Sequence, residues 1–469
     1  MEVVVFYAIY IGAALLFTVA AVFAVGGALH AGIRKPEGFL VFFVLPMVVV
    51  MAATTLASGR NLMFPDLQLL GGGAEPGGWA KWLQRLATLF FLAASMERLA
   101  HFAFSPRDRN RPVGLMIAFA GCWAGMVALP AAFGARPSLS HEYFYSLVIG
   151  LAALTTSEQG ARTALRVARN ALALFILGGL VLLVVKRDLV MAPYLGGLIP
   201  AFSWRYYGLS TGPNAMGPLC VLALLCLRAV PFQSRALQRS AVFLALLSLV
   251  LTQSKSSWLA GIACWVAMAA VSDSGRLADW LKDARKRPWV QLVLSLTIVG
   301  LAMLLLAVGG GLGQGKIERF LATRAGSDLM TLTGRNEIWA IALETFRANP
   351  WFGYGPTIWD PLFRMQIGVP AAFHAHNQFI NVLAASGVVG ALGFLAYLLV
   401  LLRRLWPRRG AYQGLVVGLL VLLLMRSISE VPFNLSGFGS ESLAQMLLLM
   451  VLAGASAARP TASEQPTQR

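Results

Sequence analysis

Long apolar stretches alternate with short, arginine-bearing breaks along almost the whole chain. The stretches fall at roughly 4–28, 39–57, 84–104, 113–133, 143–159, 170–186, 213–230, 239–253, 257–271, 289–308, 379–402, 413–429 and 441–456. Most approach the about 20 residues that an α-helix needs to cross a hydrocarbon core. The pattern predicts an all-α membrane bundle of thirteen transmembrane helices, or twelve if one of the short stretches, such as 143–159 or 257–271, does not cross.

One break is unlike the others. The segment 309–378 opens on a glycine run, Gly309 to Gly315, and then carries a helix-like stretch from Asn336 to Phe346 with Thr333 as its N-cap. That stretch stops before Asn349 and Pro350, and Gly353, Tyr354, Gly355 and Pro356 spell a turn. Loops of this length in compact proteins are functional or disordered. The aromatics and helix signals here argue for order. The chain is therefore expected to divide into transmembrane helices over 1–308, a large loop with helices over 309–378, C-terminal transmembrane helices over 379–458, and a disordered tail, rich in Ser, Thr, Gln and Pro, over 459–469.

Composition agrees with the pattern: 58% of the 469 residues are hydrophobic and only 12% charged, about half the charge of a soluble chain. The net charge of +18 raises nucleic acid as a partner. However, the basic residues sit in short clusters between apolar blocks, as topology signals do, and form no contiguous basic face. No nucleic-acid partner is expected. Placing Arg107, Arg109 and Arg111; Arg162, Arg166 and Arg169; Arg228, Arg235 and Arg239; Arg276 to Arg287; and Arg403 to Arg409 in the cytoplasm puts the alternate connections outside. Those are 58–83, 134–142, 187–212, 254–256, the long loop and 430–440. The tail is then cytoplasmic, while the side of the N-terminus depends on the helix count. The first block has no basic leader region and reads as a retained helix rather than a signal peptide. The four cysteines, Cys122, Cys220, Cys226 and Cys264, all lie inside apolar blocks without metal-ligand spacing, and read as packing residues.

Several residues on the outer side could carry chemistry. His374 and His376, two of only five histidines, close the long loop just where the chain re-enters the membrane. A neutral imidazole there can act as general base, although an interfacial histidine bonded to backbone is the commoner case. Arg335, at the start of the loop helix, lies near free backbone N–H groups and suits an anion such as a pyrophosphate; a solvated surface arginine is the commoner alternative. Lys255 lies between two apolar blocks among Thr252, Gln253, Ser254, Ser256 and Ser257, which suggests a polar pocket, against snorkelling to the interface. Arg205 and Asn214 face the same side, in what reads otherwise as a simple helix-entry turn. Glu97 and Arg98 form a structural ion pair or line a lumen, and the role of Glu430 is open. Walker, Rossmann and HExxH motifs are absent, and no Asp-x-Asp pair falls on the outer side, against a metal-dependent glycosyltransferase. Arg and Lys can stabilise a pyrophosphate leaving group instead.

These residues together resemble the bacterial O-antigen ligases, of a superfamily shared with O-antigen polymerases. His376 and Asn377, nine intervening residues, then Gly387 and Gly390 look like the ligase signature. So do Pro213 to Gly217, the Thr252 to Ser257 turn, Gly334 and Arg335 with Trp339, and Asn349 to Gly355, in that order, over roughly 200–440. The family often has Arg where Lys255 stands, so the bidentate phosphate contact of an Arg is lost here.

The resemblance implies a GT-C-like glycosyltransferase in the bacterial inner membrane with its active site on the periplasmic side. It would move O-antigen polysaccharide from undecaprenyl pyrophosphate to lipid A–core oligosaccharide among membrane lipids, with inversion and without metal or other cofactor. His376 would be the base, Arg335 and Lys255 would hold the diphosphate, His374 and Asn377 would support His376, and Arg205, Asn214 and Arg364 would wall the site. The long loop would be a lid over a cavity floored by the membrane helices. An O-antigen polymerase is the nearest alternative, although polymerases usually have two large outer loops. A transporter or lipid flippase would need charges along a path, and a scaffold would leave the ordered loop without purpose.

Overall fold

The computed structural model describes residues 26–63 apart from 28, 33, 35 and 36, then 78–104, 112–194, 203–272, 335–369, 372–437 and 442–457. The apolar block at 289–308, nearly all of the block at 4–28, the arginine clusters at 107–111 and 276–287, the glycine run, Thr333 and the tail lie outside the described residues.

Apolar stretches have become helices: α1 (Val44–Ala57), α2 (Gly78–Phe104), α3 (Val113–Phe133), α4 (Tyr143–Ala153), α5 (Glu158–Val185), a single turn α6 (Arg187–Val190), α7 (Pro213–Ala229), α8 (Arg235–Leu251), α9 (Lys255–Ser272), α10 (Arg335–Ala348), α11 (Pro361–Gln366), α12 (Gln378–Leu405), α13 (Ala411–Ser427) and α14 (Ser442–Ala457). Among the described residues six helices are long and apolar enough to cross a membrane, namely α1 with the turn preceding it, α2, α3, α5, α9 and α12. Helices α4, α7, α13 and α14 are apolar but shorter. The protein is a mostly helical, polytopic membrane protein.

Two expectations need correction. Arg162, Arg166 and Arg169 do not sit in a connection; they lie on α5, which begins twelve residues before its apolar block. Ser157 caps that helix by accepting from the Gly160 N–H, and the arginines share one face while Ala161, Ala164, Leu165 and Ala168 are buried on the other. A capped amphipathic first half is invisible to a search for unbroken apolar runs. The all-α reading also misses a short antiparallel hairpin in the 187–212 connection, β1 (Met191–Pro193) with β2 (Trp204–Tyr206), in which Met191 pairs with Tyr206. It brings Arg205 to the site.

Helix α12 is broken by design. Gly387 has φ +60 and ψ −159, so two helical segments meet there. The segment Asn349 to Gly355 fills the break. Tyr354 and Gly355 donate to the carbonyls of Ala384 and Ala385 at 2.9 Å each, which end the first segment. Pro350 and Trp351 offer their carbonyls to Val388 and Val389, at 2.8 and 3.2 Å, which begin the second. Each orphan helix end thus finds a backbone partner. A Cβ on Gly387 would meet Trp351 backbone at 2.5 Å, and one on Gly353 would meet Ala385 and Ser386 backbone at 2.6 Å.

The main core runs through the membrane helices, and a second, smaller core of Ile338, Ala342, Ile358, Trp359, Phe363, Ala372, Ala375 and Ala384 lies under the described part of the long loop. Glu97 and Arg98 form a buried ion pair, with Arg98 Nε 2.8 Å from one carboxylate oxygen, and Glu97 also accepts from the Phe39 N–H. This is a structural pair joining α2 to the turn before α1. All four cysteines are buried and free.

Candidate functional site

The loop carrying the two histidines is tied down from three sides before α12 begins. Trp339, one turn after Arg335 on α10, donates its indole N–H to the Ala375 carbonyl at 2.8 Å. Asn381 of α12 accepts from the Ala375 N–H at 3.1 Å and from the Trp359 indole at 2.9 Å. Asn377 caps α12, accepting from the Phe379 and Ile380 N–H groups, and its amide donates to the Ile428 carbonyl at 3.4 Å. This pinning holds His376 at φ +48, a left-handed backbone that a non-glycine residue keeps only where its surroundings impose it. Gln253, two residues before Lys255, is also left-handed, at φ +49.

Glu430 joins the histidines from the other side. It follows α13, with its N–H donating to the Arg426 carbonyl at 2.7 Å, and Gln378 holds the same connection by accepting from the Phe433 N–H. One carboxylate oxygen, Oε2, lies 3.2 Å from His374 Nε2 and 3.4 Å from His376 Nδ1. The other, Oε1, lies 3.4 Å from the Asn214 amide. Asn214 in turn accepts from Arg205 at 2.9 Å and from the Ser254 hydroxyl at 3.4 Å. Arg426 donates to the Asn214 carbonyl at 2.9 Å. Thus His374, His376, Asn214 and Arg205, read from separate stretches of sequence, meet around Glu430.

One hydrogen bond assigns the His374 proton. His374 Nδ1 accepts from the His376 N–H at 3.1 Å, so its own proton sits on Nε2 and points at Glu430. Burial, His376 and nearby cations push His374 down to about 4, so it is neutral at pH 7. Burial alone would raise Glu430, but His376, His374 and Arg426 outweigh it and hold the carboxyl below its ordinary value. Glu430 is a carboxylate facing His376 Nδ1. A proton on that nitrogen leaves Nε2 of His376 with a free lone pair, the state a general base needs.

His374, His376 and Glu430 have metal-ligating atoms within 4.8 Å of one another. The cluster fits a metal poorly. A ligating His374 Nε2 would have to carry its proton on Nδ1, which is occupied in accepting the His376 N–H.

The remaining sequence candidates take outer positions. Arg335 is half-buried at the start of α10, near enough to the pair for its charge to help lower His374. Lys255 is exposed at the start of α9, beside the buried Ser254 and Ser257, whose hydroxyls lie 2.9 Å apart. Arg364 stacks over Phe373 at 4.3 Å, next to His374. Sequence reasoning left Glu430 open and missed Arg426 and Asn381. A lone acidic residue at a membrane edge was the one available signal; a buried arginine inside an apolar block and a helical asparagine carry none.

A cavity of about 380 Å³ adjoins His374, bounded by Trp359, Phe373, Asn381, Ser386, Asn434 and Ser436 among others. The fold and this site define a membrane protein with a carboxylate, two imidazoles and nearby cations at one end of its bundle. A family model described as O-antigen ligase matches residues 240–395, a third of the chain, and supports the O-antigen ligase superfamily, whose members are membrane glycosyltransferase-like enzymes. A comparison with curated proteins returned no match.

Proposed function

We propose that the protein is an O-antigen ligase: a GT-C-like, inverting glycosyltransferase of the bacterial inner membrane. It would transfer O-antigen polysaccharide from undecaprenyl pyrophosphate to lipid A–core oligosaccharide on the periplasmic side. The observation that carries this reading is the meeting of His376 with Glu430 on one hand and of cationic side chains with the same centre on the other. His376 Nε2 takes the proton of the acceptor hydroxyl. The acceptor oxygen bonds to the anomeric carbon, and the bond from that carbon to the pyrophosphate oxygen breaks with its electron pair leaving on undecaprenyl pyrophosphate. Arg335 and Lys255 bind that anion, which develops charge in the transition state. Arg205 and Asn214 complete the wall, Arg364 flanks the His374 side, and Asn377 positions the loop.

The test is transfer by purified protein given lipid-linked O-antigen and lipid A–core, with an O-antigen polymerase acceptor run beside it. His376→Ala is expected to abolish ligation, and full activity would remove His376 as base. Transfer is expected to survive a chelator; loss would mean that a metal takes part. Preference for the polymerase acceptor would make the protein a polymerase.

A further inference from the structure

A second cavity, also about 380 Å³, lies between α1, α2 and α4, bounded by Met47, Met51, Thr54, Thr88, Phe91 and Tyr145 among others. It shares Gly437 with the cavity beside His374. We propose that the two form one track for a lipid-anchored acceptor, the glycan end beside His374 and an acyl chain between α1 and α2. The track rests on the ligase reading and names which substrate uses this side of the site.

Charge decides the occupant. No Lys or Arg is among the described residues bounding either cavity, and Glu142 borders the outer one. The cations Arg205 and Arg426 meet Glu430 through Asn214 instead, and Lys255 follows Ser254 on that side. A prenyl diphosphate belongs among those cations. A diphosphate in the outer cavity would face Glu142 with no Lys or Arg among the residues that bound it. A hydroxylated sugar suits the inner cavity, where Asn381, Asn434 and Ser436 offer polar groups. The outer groove is built from two helices long and apolar enough to cross a membrane, and the Thr54 and Thr88 hydroxyls donate to carbonyls of their own helices at 2.9 and 3.0 Å. Met47, Val50, Met51, Phe91, Leu92 and Ile149 give it apolar surface for a hydrocarbon chain, with Gln84 and Glu142 its longer polar side chains. Each cavity falls within the about 300–1,000 Å³ of small-ligand sites.

Gly437 is the junction, and a Cβ there would meet nothing within 4 Å. Gly437→Leu therefore adds side-chain volume at the junction, and its Cβ meets no described atom. Gly437→Leu and Thr88→Trp are each expected to raise KM for acylated acceptor about tenfold relative to a de-acylated, water-soluble acceptor. Equal effects on both acceptors, an effect on donor KM alone, or no effect would overturn the track. A photo-reactive residue in place of Thr88 gives a readout without turnover: crosslinking to acylated acceptor is expected, and crosslinking to prenyl pyrophosphate instead, or to neither, would overturn it. If the wild-type protein transfers to no acceptor, the ligase reading fails, and the crosslink still decides the track.

Discussion

A carboxylate shared by two imidazoles favours a proton on each nitrogen that faces it, and that is the role the proposed mechanism gives Glu430. With Oε2 between His374 Nε2 and His376 Nδ1, it draws a proton to Nδ1 and leaves His376 Nε2 open for the base role proposed above. Glu430→Gln removes the charge and keeps the shape. Its kcat is expected to fall about 100-fold, within the range for a lost contribution to general-base catalysis, with acceptor KM nearly unmoved and the rise of kcat with pH displaced. A purely structural role would instead lower the thermal midpoint and leave the pH profile in place. His374 has its own signature. Its folded value is about 4, against about 6.5 in an unfolded chain. Between these values the unfolded chain binds a proton that the folded chain refuses. The stabilisation is therefore complete above about 6.5 and is lost as pH falls towards 4. Glu430, held below its ordinary value, would act only at still lower pH. The thermal midpoint in detergent is expected to drop between pH 7 and pH 5, and to drop less in His374→Asn. An equal drop in the variant would locate the titration elsewhere.

The elements explain why half of the resembling signature is mechanical. His376 and Asn377 hold the site, whereas Gly387 makes the break in α12 that Asn349 to Gly355 plugs. The two motifs are distant in sequence and joined by four backbone hydrogen bonds in space. Gly387→Ala forces a Cβ into Trp351 backbone at a left-handed φ. A cost of about 1–3 kcal/mol, a lower thermal midpoint and lost ligation are expected, while Gly121→Ala, which meets nothing within 4 Å, is expected to be neutral. Equal stability of the two variants would dismiss the joint. Periodicity made most of the helices legible, because an apolar run announces its own burial. It could not show the break, which depends on a partner segment, nor the capped start of α5. The histidines and Asn214 were legible as unusual residues in their places. Their convergence on Glu430 was not, because three connections far apart in sequence must fold together to make it.

At the scale of the whole molecule, the described connections fall into two groups. In one, the 134–142 connection meets the long loop through Ala135 and Arg136 donating to Gly353 and Tyr354, the 58–63 segment meets α6 through Leu62, and the β-hairpin meets the turn before α9 through Arg205 and Thr252. These are the alternate connections placed outside by charge, and the histidines lie among them. At the other end Arg169 donates to the Val230 and Pro231 carbonyls, Arg228 approaches Ser272, and Arg162 lies over Tyr412. This end, with the arginines placed inside by the alternation of connections, is expected to face the cytoplasm. The native cysteines are buried, so single introduced cysteines report cleanly. Leu139 is 85% exposed at the site end, and Arg409 is exposed at the other. In intact cells with a permeabilised outer membrane, an impermeant maleimide is expected to label Leu139→Cys at once, and Arg409→Cys only after the inner membrane is opened. The opposite order would place the base and its cations in the cytoplasm, away from a periplasmic acceptor, and the ligase reading would fall with it.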